Sequence, residues 1–328
     1  MNMKAILVKE RGNAETLTVG EYQKPEPKAG YVLVENKAFG INRAEVYMRK
    51  GEFGETHDII GIEFAGIVAN DPSGTYTQGQ KVISFVGGLA RELGGSYAEY
   101  VSVPLQNITP VETTLPWNEL GAIPESFATA WAILNWGLQA RSGQSILVRG
   151  GTSTLGLAII VLAKQMALEV IATSRSAEKF SILKKFGADH TIIDDGKVAE
   201  KVKRILPKGV TNVAELVGTT TLTDSLSCVE VNGTVCLAGF LGGLMPMENF
   251  MPLMQIPSTV KLTSFGSAFV IGNKEFPYAQ IPMQRIVSDI EQHKIQNILA
   301  KTFSFDKIIE AHKLMESNNV NGKIVVTV

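Results

Sequence analysis

Val148-Arg149-Gly150-Gly151-Thr152-Ser153-Thr154-Leu155-Gly156 follows a short apolar run at 145–148 and opens a helical pattern. There Leu155, Ala158, Ile159, Leu162 and Met166 recur at i, i+3, i+4, i+7 and i+11, which predicts a helix with one apolar face. A buried strand, a glycine turn and a helix in direct succession form the setting in which a dinucleotide pyrophosphate is held. Gly150 and Gly151 permit a tight turn and a close approach of backbone N–H groups to phosphate. The N-terminus of the helix supplies unpaired donors and partial positive charge. Thr152, Ser153 and Thr154 add hydroxyl donors, and Gly156 lets helix and strand pack closely. The spacing departs from strict G-x-G-x-x-G, because Ser153 stands where a middle glycine often falls. The weight therefore rests on what surrounds the turn.

Downstream, strands are predicted at 170–173, 191–193, 213–217 and 234–238, alternating with helices at 178–186, 197–206 and 222–229. Such alternation implies βαβ units and a doubly wound parallel sheet. Upstream, short β-branched runs at 4–8, 31–38, 61–69 and 80–85 are broken by Gly and Pro, which predicts a β-rich region with one main helix at 43–49. The tail has predicted helices at 282–292 and 305–315 and strands at 298–303 and 323–328. It is too short to fold alone and is expected to rejoin the N-terminal part. The fold class is thus α/β, with a nucleotide domain at 121–262 and a β-rich domain at 1–120 and 263–328.

The strand after the glycine turn ends in Thr173-Ser174-Arg175-Ser176. A site for NAD places a carboxylate about 20 residues past the glycines, to hold the ribose 2′-hydroxyl. Here Ser174 takes that place, with Arg175 beside it and Lys179 one helical turn on. A small hydroxyl flanked by two cations suits a 2′-phosphate. The residues therefore favour NADP(H).

Composition narrows the rest. The chain has 328 residues, 45% hydrophobic and 19% charged, with formal net charge −1. That balance gives no field for nucleic acid or an anionic membrane. No apolar run approaches the roughly 20 residues of a membrane span, and residues 1–10 lack a signal-peptide core. The expectation is a cytoplasmic soluble protein. Cys228 and Cys236 are too few for a four-cysteine zinc site, and His57, His190, His293 and His312 form no HxxxH pair.

Several segments in order carry a resemblance. Ile60-Gly61-Ile62-Glu63-Phe64-Ala65-Gly66 resembles PGxExAG, Gly95-Ser96-Tyr97-Ala98-Glu99-Tyr100 resembles GxYAEY, and Lys184-Lys185-Phe186-Gly187-Ala188-Asp189 resembles an LGAD turn. With Phe127-Ala128-Thr129-Ala130-Trp131 and Gly322-Lys323-Ile324-Val325, they make the chain similar nearly end to end to zinc-independent medium-chain dehydrogenases/reductases of the quinone oxidoreductase branch. The resemblance implies a Rossmann domain plus a GroES-like catalytic domain. It also implies hydride transfer from NADPH to a small-molecule quinone or enone, and a homodimer paired near residues 259–265.

Zinc-dependent relatives carry Cys where this chain has Asn42-Arg43-Ala44-Glu45, His where it has Ile62, and four cysteines near 87–97 where it has none. No metal is expected. Without one, hydrogen-bond donors must stabilise charge on the acceptor oxygen. By resemblance these are the Tyr47 hydroxyl and the Asn42 amide, while Thr129, Gly239, Phe240 and Phe265 flank the cofactor and Lys323 lies near it. Loops 86–95 and 242–249 would line the acceptor pocket. Two rival readings are an enoyl-thioester reductase, whose branch usually has Tyr where this chain has Phe53, and a non-catalytic NADPH-binding sensor.

Overall fold

The computed structural model describes all residues, 1–328. The chain divides into two compact units, Met1–Ala128 with Ala268–Val328, and Thr129–Ser267. The sequence boundaries expected at 120/121 and 262/263 fall slightly earlier in each case.

In the first unit, β1 (Asn2–Val8) and β2 (Leu17–Gln23) form an antiparallel ribbon. The main sheet is built on β3 (Tyr31–Ile41), which pairs with β4 (Glu63–Asn70), while β4 pairs with β5 (Lys81–Phe85). β6 (Tyr100–Pro104) also lies on β3, and β7 (Thr109–Pro110) on β5. The end of β3, Gly40-Ile41, runs through Asn42, the N-cap, directly into α1 (Arg43–Lys50), the helix expected at 43–49.

α2 (Pro124–Ala132) leads into the second unit, where six parallel strands alternate with helices. They are β8 (Ser145–Arg149), β9 (Glu169–Ser174), β10 (His190–Ile193), β11 (Val210–Glu215), β12 (Val229–Leu237) and β13 (Lys261–Ser264). The intervening helices include α3 (Thr154–Gln165), α4 (Phe180–Lys185), α5 (Ala199–Ile205) and α6 (Leu222–Leu226). Spatial order is β10-β9-β8-β11-β12-β13, so the chain winds outward one way from β8 and then the other. This is the Rossmann order, and its switch point lies between β8 and β11, where ligands sit at the strand carboxyl ends. Leu147, Ile171, Val213 and Val235 line its buried core.

Two expectations need correction. The helix beginning at Leu155 does not present a single apolar face: residues 156–163 are all buried, as in a helix covered on every side. The helix predicted over 222–229 stops at Leu226, because Val229 is already paired with Val210 in the β11–β12 ladder.

The tail returns to the first unit. After α7 (Met283–Glu291), β14 (Leu299–Ser304) pairs in parallel with β15 (Lys323–Thr327), and β15 runs antiparallel to β3. α8 (Ile308–Glu316) lies between them in sequence. Ala38, Ala122 and Val325 pack together at this junction. No helix is long and apolar enough to cross a membrane.

Candidate active site

Where β8 ends, the chain turns sharply through Gly150, whose φ of +84° an L side chain rarely adopts. Ser153 caps α3: its Oγ accepts from Gly156 N at 3.0 Å and donates to Gly150 O at 2.8 Å. The Gly150 and Gly151 amides are also engaged, donating to Thr173 Oγ1 at 3.1 Å and Thr173 O at 3.2 Å. The sequence reading offered these amides and the Ser153 hydroxyl to phosphate; the structure spends them on closing the turn against β9. The Ser153 amide closes the turn further by donating to Gly150 O at 3.1 Å.

Closure depends on Gly156. A Cβ there would stand 2.5 Å from Gly150 O and 2.8 Å from Gly151 Cα, both rigid backbone.

Arg149 has no exposed surface, yet it carries the densest polar network of this unit. Its Nε and Nη2 bind both carboxylate oxygens of Asp194 at 2.9 Å. Its Nη1 reaches Asp224 at 2.7 Å, Ser225 Oγ at 3.0 Å and Thr221 O at 3.1 Å. The guanidinium thereby ties the ends of β8 and β10 to α6. Glu215, at the end of β11, is buried too and fixes the next loop by accepting from Val217 N at 2.7 Å and Gly218 N at 2.9 Å.

At the end of β9, Ser174 is buried, Arg175 exposed and Lys179 half-buried. The nearest acid along the sheet, Asp194, is taken by Arg149. Gly239 and exposed Phe240 follow β12, in a loop held by Leu241 N to Leu216 O at 3.1 Å. Thr129 is buried on α2, and buried Phe265 lies against Trp136 with ring centroids 6.2 Å apart.

The first unit holds a second polar cluster. Lys323, with no exposed surface, donates to Asn42 Oδ1 at 2.5 Å, to Ser126 Oγ at 3.0 Å and to Glu63 Oε1. Asn42 Nδ2 donates to Glu63 at 2.8 Å and to Glu45 at 3.3 Å, and Asn42 N donates to Glu45 at 2.8 Å. Glu63 also accepts from Glu125 N at 2.8 Å, and Glu45 from Ile62 N at 3.1 Å. The ammonium fits because Gly40 has no side chain; a Cβ there would overlap both Lys323 and Glu63.

Thus Asn42 and Lys323, 281 residues apart, are brought together. Asn42 is no free donor, however, since its two amide hydrogens go to glutamates. Lys323 is committed as fully. Tyr47, one helical turn on, is half-buried, and its ring lies nearly parallel to that of Phe53, 6.2 Å away. Burial raises its hydroxyl above the usual range.

Burial also raises the Glu45 carboxyl to about 7, with Lys323 pulling it down and Glu63 pushing it up. A carboxyl raised on folding favours the native state below its ordinary value of 4.5, and that advantage is lost as pH climbs towards 7. Glu45→Gln, which cannot ionise, should flatten this part of the profile. Urea unfolding between about pH 5 and 8 measures it; an equally steep decline in wild type and variant would contradict it.

The alcohol dehydrogenase GroES-like domain family matches residues 28–113, and the zinc-binding dehydrogenase family residues 154–281. Human quinone oxidoreductase is 24% identical, covering 99% of this chain and 97% of that protein; the rat protein is 25% identical with the same coverage. Among solved structures, mycobacterial Rv1454c complexed with NADPH aligns with a TM-score of 0.85 at 25% identity, covering 99% of this chain and 100% of that one. The quinone oxidoreductase of Coxiella burnetii shares the fold, with a TM-score of 0.82 at 22% identity and full coverage of both chains. The chain belongs to the medium-chain dehydrogenase/reductase superfamily, on its quinone oxidoreductase-like branch. It is an oxidoreductase.

One matched family is described as zinc-binding, but the donors of this medium-chain oxidoreductase do not fit zinc. No three His, Cys, Asp or Glu side chains are grouped to hold a metal ion. At the Asn42–Glu63 position the Lys323 ammonium already supplies the cation. Both cysteines are buried, which pushes their thiols up to about 12.

The sequence reading gave no role to Arg149, Glu45, Glu63 or Ser126. Asn42-x-x-Glu45 has the spacing of a capping box, so Glu45 could have been found from the sequence. The other three depend on partners distant in the chain.

Proposed function

We propose that this oxidoreductase transfers hydride from NADPH to a quinone or an α,β-unsaturated carbonyl without zinc. The observation that carries the reading is the closed glycine turn at the switch point of a Rossmann sheet, followed at the end of the next strand by Ser174 and Arg175 where a site for NAD places a carboxylate. Bound there, the dihydronicotinamide supplies the hydride. The protein's own part is to bind, orient and balance charge.

Ser174, Arg175 and Lys179 would take the 2′-phosphate. Arg175→Asp should cut the preference for NADPH over NADH by about tenfold or more, judged against a charge-assisted hydrogen bond. Titration of both coenzymes reads it, and an unchanged ratio would remove Arg175 from the site.

Asn42, with its hydrogens committed to Glu45 and Glu63, holds the β3–α1 junction in place. The task of donating to the acceptor oxygen passes to the Tyr47 hydroxyl.

The test is a panel of neutral quinones, enones and enoyl thioesters run with NADPH. Oxidation of NADPH by quinones or enones supports the reading. Binding of NADPH with no acceptor reduced would favour a sensor instead.

A second reading has one observation behind it. A segment making up 13% of the squalestatin tetraketide synthase clz2 of Cochliobolus lunatus is 25% identical over 98% of this chain. Fastest turnover with enoyl thioesters would place the protein there, although Phe53 lacks the hydroxyl usual in that branch.

A further inference from the structure

Arg91 is the one arginine of the first unit set among aromatic rings with a buried polar atom and no anion to meet it. Its guanidinium lies 5.2 Å from the Phe53 ring centre and 5.3 Å from that of Phe269. The far side of this group is Tyr47, parallel to Phe53 within 18°. Cation–π attraction explains why a guanidinium is stable there. It does not explain why Arg91 Nε is buried without an acceptor. Nor does Arg91 form an ion pair with any carboxylate, whereas buried Arg149 meets three. The side chain as a whole is only half-buried, so the guanidinium keeps a face that an anion from solvent can reach.

The loop that presents Arg91 is held firmly. Val86, Gly87, Gly88 and Ala90 all have left-handed backbone, with φ of +48°, +58°, +89° and +65°. For a β-branched residue such as Val86 this is strained, and strain of this kind gathers at ligand clamps. Three bonds hold the loop in that shape: Val86 N to Ile62 O at 2.6 Å, Asn107 Nδ2 to Gly87 O at 2.7 Å, and Tyr278 Oη to Phe85 O. Arg91 N closes it on Gly88 O at 3.1 Å. Phe269 is 67% exposed, so the aromatic group opens to solvent on that side.

We propose that Arg91 selects the acceptor, and that the preferred acceptors are planar conjugated carbonyls carrying a carboxylate or an equivalent anionic group. Flat rings match the Tyr47–Phe53 pair. The planar guanidinium can take an anionic group through two parallel N–H donors on its Nη nitrogens, which, unlike Nε, are not buried. This rests on the acceptor reading above and narrows it to a charge class.

The experiment compares 1,4-naphthoquinone with 1,4-naphthoquinone-2-sulfonate, in wild type and Arg91→Met. Comparing the two proteins cancels the quinones' different intrinsic reactivity. The variant should lose at least about tenfold more kcat/KM with the sulfonate than with the neutral quinone, the loss falling mainly in KM. Calorimetric titration of the sulfonate, which needs no turnover, should show its Kd rising by a similar factor. Arg91→Lys, which keeps the charge without the planar fork, should fall between the two and serves if the Met variant does not fold. Equal losses for both quinones, or an unchanged Kd for the sulfonate, would overturn the proposal. Absence of turnover with either quinone would instead sink the acceptor reading, and the titration would still decide the role of Arg91.

Discussion

Arg149→Met should destabilise the nucleotide-binding unit by about 3–5 kcal/mol, the usual cost of removing one partner from a buried ionic network. The side chain has no exposed surface and neutralises Asp194 and Asp224 directly, with Glu215 3.9 Å away. Methionine fills much of the volume but leaves these acids without their cation. Asp194 shows the balance. Burial alone would raise its carboxyl, but the two hydrogen bonds from Arg149 hold it below the usual range. A carboxyl lowered on folding adds stability above its ordinary value of 3.8, and that stability disappears as pH falls through the folded value. The variant should lack this contribution, so its acid unfolding should begin at higher pH. Denaturant unfolding at neutral pH, followed by circular dichroism, measures the main effect. A loss under about 1 kcal/mol would mean that the network is replaceable by packing.

Gly156→Val should weaken NADPH binding by about 100-fold or more, equivalent to roughly 2.7 kcal/mol. Its Cβ would press on Gly150 O and Gly151 Cα, which belong to the turn itself and cannot swing aside as a flexible side chain could. Relief requires opening the turn, which breaks the Ser153 cap and pulls Gly150 and Gly151 from Thr173. Gly156→Ala meets the same backbone with less bulk and should lose less. Nucleotide fluorescence titration gives the affinity, and circular dichroism confirms that the variant remains folded. Wild-type affinity in the valine variant would show that the closed turn is not what holds the coenzyme.

How far the sequence could be read depends on the range of the interaction. Local signals worked well: the glycine turn, the β8–α3 succession and the alternation through β12 all follow from neighbours in the chain. The return of the tail to the N-terminal sheet is also legible, since two strands and two helices cannot bury a core. Pairings across long separations were not. Nothing near Lys323 shows that its ammonium belongs with Asn42 and Glu63, because β15 meets β3 only in the folded sheet. Arg149 precedes the glycine turn in sequence, and nothing local shows that its side chain reaches acids 45 and 75 residues away. The hydroxyl of Ser153 shows the same limit at short range: a donor facing a ligand and a helix cap look alike until its hydrogen bonds are placed.

Equilibrium titration of the purified protein with NADPH and NADH tests most directly whether the turn around Gly156 grips NADPH with Arg175 at its 2′-phosphate. Saturable binding of NADPH, at least about tenfold tighter than NADH, is predicted from the charge-assisted contacts a 2′-phosphate gains. Equal affinity for the two coenzymes, or no binding of either, would contradict it.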